Sequence, residues 1–473
     1  MISKNLDNIN LDNFPVAIFG SGPAGITTAL ELEKKGIKCL LIEAGDENYS
    51  EASQEFYKGK IIGDQILGLS ESRLRQLGGT SGHWGGTSKP LEEYTFELWP
   101  IKSDELKSYS KRTCEILNIN HQFRKAPLSK FFNQVEFQHS SVNFADKYKN
   151  HIKNSNNILL VLNTQLSHFV GDNNTRYALC ISSKTTKKIR AKYFILACGG
   201  IENSRLLLWT KVKNHGFLDK NLPIGKYWMT HPHVLGGRGI ISRKKLKEEM
   251  KNNFLGYRDL MYFSATKELI IKKKILSASM YMLTQDVFRG DKIIDKEIIK
   301  DILCVAPEYG KKLANMVFIK DFECGNIALL LEQEPIEDNK IVLDEDKDKF
   351  GIPRVKLFYK QTERSLKTAK LFLEEFADLC RKKDLGRIAI KDSIYNLEGF
   401  GLLEGYHQMG GTKMGVNKYN SVVNVDLKVH DINNLYVSGS SNFVTGGYTK
   451  PTFTIIQFAI RLAERINERL RSA

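Results

Sequence analysis

Val16-Ala17-Ile18-Phe19-Gly20-Ser21-Gly22-Pro23-Ala24-Gly25 decides how the first part of this chain folds. The apolar run Val16 to Phe19 reads as a strand. The glycines that follow read as a tight turn, Ile26 to Lys35 as a helix stopped by Gly36, and Lys38 to Ile42 as a second strand ending at Glu43. Strand, glycine turn, helix, strand and acid is the order of a Rossmann nucleotide-binding unit. Gly20 permits the tight turn, Gly22 lets the backbone approach a pyrophosphate, and Gly25 lets the helix pack close to the strand. Ser21, Pro23 and Ala24 complete the loop, and the helix start offers unpaired N–H groups and a positive dipole end to the phosphates. Glu43 sits near the ~20-residue offset of a ribose-binding acid, and its charge would repel a 2′-phosphate, which argues against NADP. The motif by itself does not separate FAD from NAD.

Outward from that unit, 473 residues are too many for one simple core, so two domains interleaved in sequence are expected. Hydrophobic residues at 42% and charged residues at 26% are ordinary for a soluble globular protein and exclude a low-complexity chain. Met1 to Asn13 is polar and does not read as a signal peptide, and no apolar stretch approaches the ~20 residues of a membrane-spanning helix. Seven cysteines, scattered and without a CxxC, point to a reduced cytoplasmic setting rather than to disulfides or zinc. The net charge of +16 has two readings: a solvated lysine coat, or attraction to an anionic partner such as a membrane surface or an acidic or phosphorylated sugar. No basic–aromatic interleaving or recognition-helix pattern speaks for nucleic acid.

A second glycine-rich loop runs from Arg73 through Arg75, Gly78, Gly79, Thr80, Ser81, His83, Trp84 and Gly85 to Gly86, and implies backbone pressed against something flat or phosphorylated. A third segment, Tyr193 to Gly200, is a buried-type strand ending in glycines, after which Ile201 to Leu208 starts a helix. Asn434 to Ser441 is again a strand followed by small residues, leading through Gly446-Gly447 to Pro451. With Gly225 to His233, Glu332 to Pro335, Asp348 to Pro353 and the run His407-Gln408-Met409-Gly410-Gly411-Thr412, these segments resemble the glucose–methanol–choline (GMC) oxidoreductase family over most of the chain. Within it the resemblance is greatest to the short sugar-oxidising, pyranose oxidase-like branch.

The resemblance implies an α/β protein, α+β overall. A Rossmann-type FAD-binding domain would be assembled from residues 14–90, 155–235 and 405–473, with 91–154 as a connecting segment. An inserted substrate domain, 236–404, would hold a β-sheet and helices; within it Ile341 to Leu343 and Val355 to Tyr359 read as strands and Glu363 to Lys382 as an amphipathic helix. It places Leu166, Ala197, Gly199, Ser204, Gly439, Ser440, Pro451 and Thr452 with the two glycine loops around FAD. His83 stands where some relatives bond FAD covalently, although noncovalent binding is the commoner arrangement. The stretch Ser242 to Val317 carries no readable motif and is expected to set the substrate.

Oxidising an alcohol to a carbonyl removes a hydroxyl proton and a hydride. The resemblance gives the hydride to flavin N5 and the proton to His407, whose ordinary pKa of ~6.5 leaves it mostly neutral near pH 7. Pro451 opens a last helix in which Ile455, Ala459, Leu462, Ile466 and Leu470 recur at helical spacing, which makes Lys450 its N-cap. The family's usual residue there is Asn or His, so Lys450 is a departure and a poor cap. It either donates to the substrate oxygen while keeping His407 neutral, or binds a substrate carboxylate or phosphate, or points to solvent. His231 and His233 lack a third ligand at metal spacing and read as a structural loop; no metal is expected. The expected activity is oxidation of a sugar, amino sugar or polyol, with an unidentified electron acceptor. Non-oxidative lyase or decarboxylase chemistry, and a non-catalytic FAD protein on an anionic partner, remain the alternatives.

Overall fold

Val16–Phe19 lies near the middle of a six-stranded sheet in the order Ile2–Ser3, Ile158–Val161, Cys39–Ile42, Val16–Phe19, Tyr193–Leu196 and Leu435–Val437. Every pairing in it is parallel. The residues of Val16–Phe19, Cys39–Ile42 and Ile158–Val161 are all buried, as continuous apolar strands covered on both faces must be. The computed structural model describes residues 1–4, 6, 13–182, 185–250, 260–284, 322–399 and 406–472. The stretch from Ser242 to Val317 therefore lies partly outside the described residues.

The chain leaves Val16–Phe19 to pair on one side with Cys39–Ile42 and on the other with Tyr193–Leu196, so a crevice forms beyond the carboxyl ends of these strands. The first helix, Pro23–Glu33, begins three residues before the position read from the sequence. Gly22 is its N-cap and Pro23 starts it, because the proline ring already holds a helical φ. A Cβ on Gly25 would lie 1.8 Å from the Gly20 carbonyl oxygen, so the close helix–strand approach depends on that glycine.

The C-terminal helix Thr452–Ser472 packs on Pro23–Glu33 and joins the two ends of the chain. Its apolar stripe buries Ala459, Leu462 and Ile466, with Ile455 and Leu470 packed at the margin. The N–H of Ile455 donates to the Pro451 carbonyl at 2.9 Å, so Pro451 takes the first helical bond and Lys450 precedes the helix. The reading of Lys450 as N-cap is thus corrected by one position, and the mismatch between lysine and cap no longer needs explaining.

A seven-stranded antiparallel sheet runs in the order Gly386–Ile390, His233–Ser242, Phe322–Leu331, Ala278–Thr284, Tyr262–Ala265, Phe132–Val135 and Lys125–Pro127. Glu363–Lys382 lies over it with the bounds its sequence pattern gives, burying Ala369, Phe372, Leu373, Phe376 and Cys380. Lys340–Lys347 and Pro353–Tyr359 form a hairpin, longer than its apolar kernels, and Gly59–Gly63 joins it in parallel. A buried ion chain ties that hairpin to the helix Glu202–Lys213, which follows Tyr193–Leu196, and to the loop at Arg73: Asp348 accepts from Arg205 at 2.6 Å, Arg205 donates to Glu202 at 2.6 Å, and Arg73 reaches Glu202 at 3.3 Å.

Candidate functional site

A cavity of about 440 Å³ opens where the glycine turns converge. It is lined by Gly20, Ser21, Gly22, Pro23, Ala24 and Glu43 from the Rossmann unit, and by Arg75, Gly79, Thr80, Ser81, His83, Trp84 and Gly85 from the second loop. Leu166, Ala197 and Gly199 line it from the middle of the chain; His407, Gly439, Ser440, Lys450, Pro451 and Thr452 close it from the C-terminal part. Gly25, Gly78 and Ser204 do not line it. Gly25 holds the helix to the strand, the N–H of Gly78 donates to the Ser21 carbonyl at 3.0 Å, and Ser204 backs Gly411, where a Cβ would lie 2.4 Å from its Oγ. These three shape the wall from behind.

Tyr57, Arg73, Gln165, Cys198, Glu202, Tyr406 and Gln408 also face the cavity and were not singled out from the sequence. Tyr406 and Gln408 flank His407, Arg73 opens the second glycine-rich loop, and Cys198 and Glu202 lie in the strand–glycine–helix segment from Tyr193 to Leu208, so membership of those runs was the available signal; Tyr57 and Gln165 belong to no motif. Their placement comes from tertiary contacts, as with Arg75, whose guanidinium donates to Ser53 and Gln165 and lies 4.2 Å from the Phe56 ring.

The donor set fits a dinucleotide. A Cβ on Gly22, Gly85 or Gly199 would meet no protein atom within 4 Å, so at all three positions bare backbone faces open cavity. The N–H groups at the start of Pro23–Glu33 point a positive dipole end toward the same space. Glu43 accepts from the Ser21 N–H at 3.0 Å, the Ser21 hydroxyl at 2.7 Å and the Gly45 N–H at 2.8 Å, which fixes the carboxylate beneath the turn.

His407 is held beside a second imidazole. Met229 and Met409 exchange backbone hydrogen bonds, each at 2.8 Å, in an antiparallel bridge. Two residues further along each segment, in opposite directions, stand His231 and His407, and the antiparallel register sets them face to face. Nδ1 of His231 lies 3.0 Å from Nδ1 of His407, and Nε2 of His231 lies 3.2 Å from the Gly446 carbonyl oxygen. His233 takes a different partner, the Tyr281 hydroxyl at 2.8 Å. Burial holds His407 well below the usual imidazole range, and the His231 ring, the Lys450 ammonium and His233 press it the same way. Burial likewise takes His231 down to about 4, against the pull of the Gly446 and Gly447 carbonyls. His83 is lowered by partial burial, and its ring meets Tyr406 edge-on at 5.4 Å. A neutral imidazole facing a cavity can accept a proton, and an ammonium beside it can steady an oxyanion.

Two families match the chain: residues 13–72 match the FAD binding domain, and residues 335–459 match GMC oxidoreductase. Among curated proteins, 2-methyl-1,2-propanediol dehydrogenase of Mycolicibacterium austroafricanum is 27% identical over 60% of this chain and 49% of its own length. The fructose dehydrogenase large subunit of Gluconobacter japonicus is 24% identical over 60% of this chain and 48% of its own. The chain thus spans about half the length of the curated relatives it matches. Among solved structures, pyridoxine 4-oxidase from Mesorbium loti superposes with a TM-score of 0.62 at 13% identity, covering 96% of this chain and 99% of that one. A variant of Aspergillus oryzae RIB40 formate oxidase gives a TM-score of 0.58 at 17% identity, with 97% and 99% covered. At these identities the superpositions speak for the fold.

Proposed function

Because the chain belongs to the GMC oxidoreductases and is built on an FAD-binding domain, we propose that it oxidises a CH–OH group of a small sugar, amino sugar or polyol to a carbonyl. The observation that carries this reading is the shared cavity: the dinucleotide turn at Gly20–Ala24 and the imidazole of His407 line one space. FAD, when bound there, supplies the hydride acceptor. The proposed FAD domain draws on 14–90, 155–235 and 405–473, and the proposed substrate domain on 236–404, whose antiparallel sheet also recruits Lys125–Pro127 and Phe132–Val135. The relatives' names, a diol dehydrogenase and a fructose dehydrogenase subunit, favour a hydroxylated small molecule.

His407 takes the hydroxyl proton, and its lowered basicity keeps it unprotonated and ready to do so. Lys450, on the same cavity wall, donates to the substrate oxygen as negative charge develops there and discourages protonation of His407. Its charge also suits an anionic group on the substrate, so an acidic or phosphorylated sugar is the second reading. The glycine turns keep side chains away from the phosphates, and the start of Thr452–Ser472, where Pro451 and Thr452 line the cavity, offers the bound cofactor the N–H groups of a helix N-terminus. We place the protein in a reducing compartment, the cytoplasm, since Cys39, Cys114, Cys180, Cys198 and Cys380 are free thiols. Among the described residues no helix is long and apolar enough to cross a membrane.

Anaerobic mixing of the yellow protein with a panel of neutral and acidic sugars and polyols tests the proposal. Bleaching by at least one alcohol is expected. In His407→Ala the rate constant for bleaching should fall roughly 10²–10⁴-fold with FAD retained. Normal bleaching by that variant removes His407 as base, and a panel with no reductant turns the case toward lyase chemistry or a non-catalytic role.

A further inference from the structure

We propose that His231 is a positioning residue that fixes which nitrogen of His407 carries the proton, so that Nε2 of His407 offers its lone pair to the substrate. The inference rests on the reading of His407 as base and goes beyond it by assigning the tautomer and the residue that sets it.

The argument is one of hydrogen-bond bookkeeping along three groups. The Gly446 carbonyl oxygen can only accept, so Nε2 of His231, 3.2 Å away, carries a hydrogen. A neutral imidazole has one N–H, which makes Nδ1 of His231 an acceptor. Nδ1 of His407, 3.0 Å from it, must then donate. His407 in its neutral form is left with a bare Nε2. The opposite assignment would set two lone pairs, or two hydrogens, against each other at 3.0 Å.

Both rings are neutral at working pH. Burial lowers the basicity of both, the His231 ring lowers that of His407 further, and Lys450 and His233 press both rings the same way. The chain sets the geometry twice. The Met229–Met409 bridge fixes the register that brings the rings together, and glycine at 446 allows the carbonyl its approach, since a Cβ there would lie 3.0 Å from Nε2 of His231. His407 lines the cavity and His231 does not, so His231 acts through its neighbour and not on the substrate.

The test is ring-nitrogen NMR on the oxidised holoenzyme labelled with 15N-histidine, using His407→Ala to assign the signal, together with flavin-reduction kinetics. In the wild type, His407 is expected to show a protonated Nδ1 and an unprotonated Nε2. His231→Leu removes the acceptor; the fraction with bare Nε2 should drop and reduction should slow at least ~10-fold, within the ~10²–10⁴ a placed base supplies. His231→Asn sets an amide oxygen near the position of Nδ1 and should restore both the tautomer and most of the rate.

A wild-type signal with Nε2 protonated overturns the proposal without any variant. So does a His231→Leu enzyme with the wild-type tautomer and rate, or a His231→Asn enzyme no better than His231→Leu. If His407→Ala is reduced at the wild-type rate, the base assignment falls instead, whatever the NMR shows. Should His231→Leu fail to fold, the wild-type spectrum and His231→Asn decide the matter.

Discussion

His231 and His407 meet Nδ1 to Nδ1 at 3.0 Å across a bridge between segments 176 residues apart, and neither ring can hold an extra proton without facing the other. That arrangement couples the site to pH. His231 titrates at about 4 in the folded protein, against ~6.5 when unfolded, so the unfolded state binds its proton first as pH falls. Stability is therefore full above about pH 6.5 and is lost as pH drops toward 4, by on the order of 3 kcal/mol from this residue. His407, shifted the same way, adds to the loss. Denaturation midpoints measured between pH 7 and pH 4 should fall more steeply for the wild type than for His231→Asn. Parallel curves would show that the pair does not govern the acid limb.

The Arg205 guanidinium lies between two carboxylates with almost no water, 2.6 Å from Glu202 and 2.6 Å from Asp348. Asp348 also accepts from the N–H groups of Phe350 and Ile352, so its removal strands a buried cation and opens the hairpin turn. Asp348→Ala should cost about 3–5 kcal/mol in chemical denaturation. The doubly substituted Asp348→Ala, Arg205→Met should recover part of that, because no unpaired charge remains. A double variant as unstable as the single one would mean that the turn, not the ion pair, carries the cost.

Much of the fold could be read along the chain because it is encoded locally. Val16–Phe19 with its glycines, the helix Glu363–Lys382 and the apolar kernels of Lys340–Lys347 and Pro353–Tyr359 each announce themselves by period or by turn chemistry. The pairing of His231 with His407 had no such signal. It depends on an isolated bridge at Met229 and Met409, and spacing alone left His231 and His233 as a loop. The same limit hid Lys125–Pro127 and Phe132–Val135, which join a sheet whose other strands begin only at His233. Glu202 and Arg73 face the cavity for a third reason: buried charge partners, which no sequence period marks, hold them there.

Gly22, in the first turn, and Gly25, in the helix after it, should respond differently to the same methyl group. In Gly25→Ala the new Cβ meets the Gly20 carbonyl oxygen at 1.8 Å, backbone against helix, with no flexible side chain to give way. A loss of about 1–3 kcal/mol in stability is expected, along with weaker FAD retention. In Gly22→Ala the Cβ meets no protein atom and projects where the pyrophosphate would lie. That variant should keep its unfolding midpoint yet purify with less flavin, as read from the ratio of visible to ultraviolet absorbance. Equal flavin content in Gly22→Ala and the wild type would move the phosphates away from this turn.

Lys450 separates two chemistries that the cavity permits. Replacing it in Lys450→Met removes one of the positive neighbours that depress His407, so the basicity of His407 rises toward its ordinary value, though burial and His231 still hold it below. The acid limb of the flavin-reduction profile should shift to higher pH. If Lys450 steadies the developing alkoxide, the limiting rate of reduction falls roughly 10²–10³-fold for neutral and acidic substrates alike. If it holds a carboxylate or phosphate, KM rises about 10–100-fold for the acidic substrate alone, the loss of one charge-assisted hydrogen bond. Stopped-flow reduction of the variant across pH, with one substrate of each kind, reads all three quantities. An unmoved acid limb with unchanged rates would place the ammonium outside the reaction, pointing away from both His407 and the substrate.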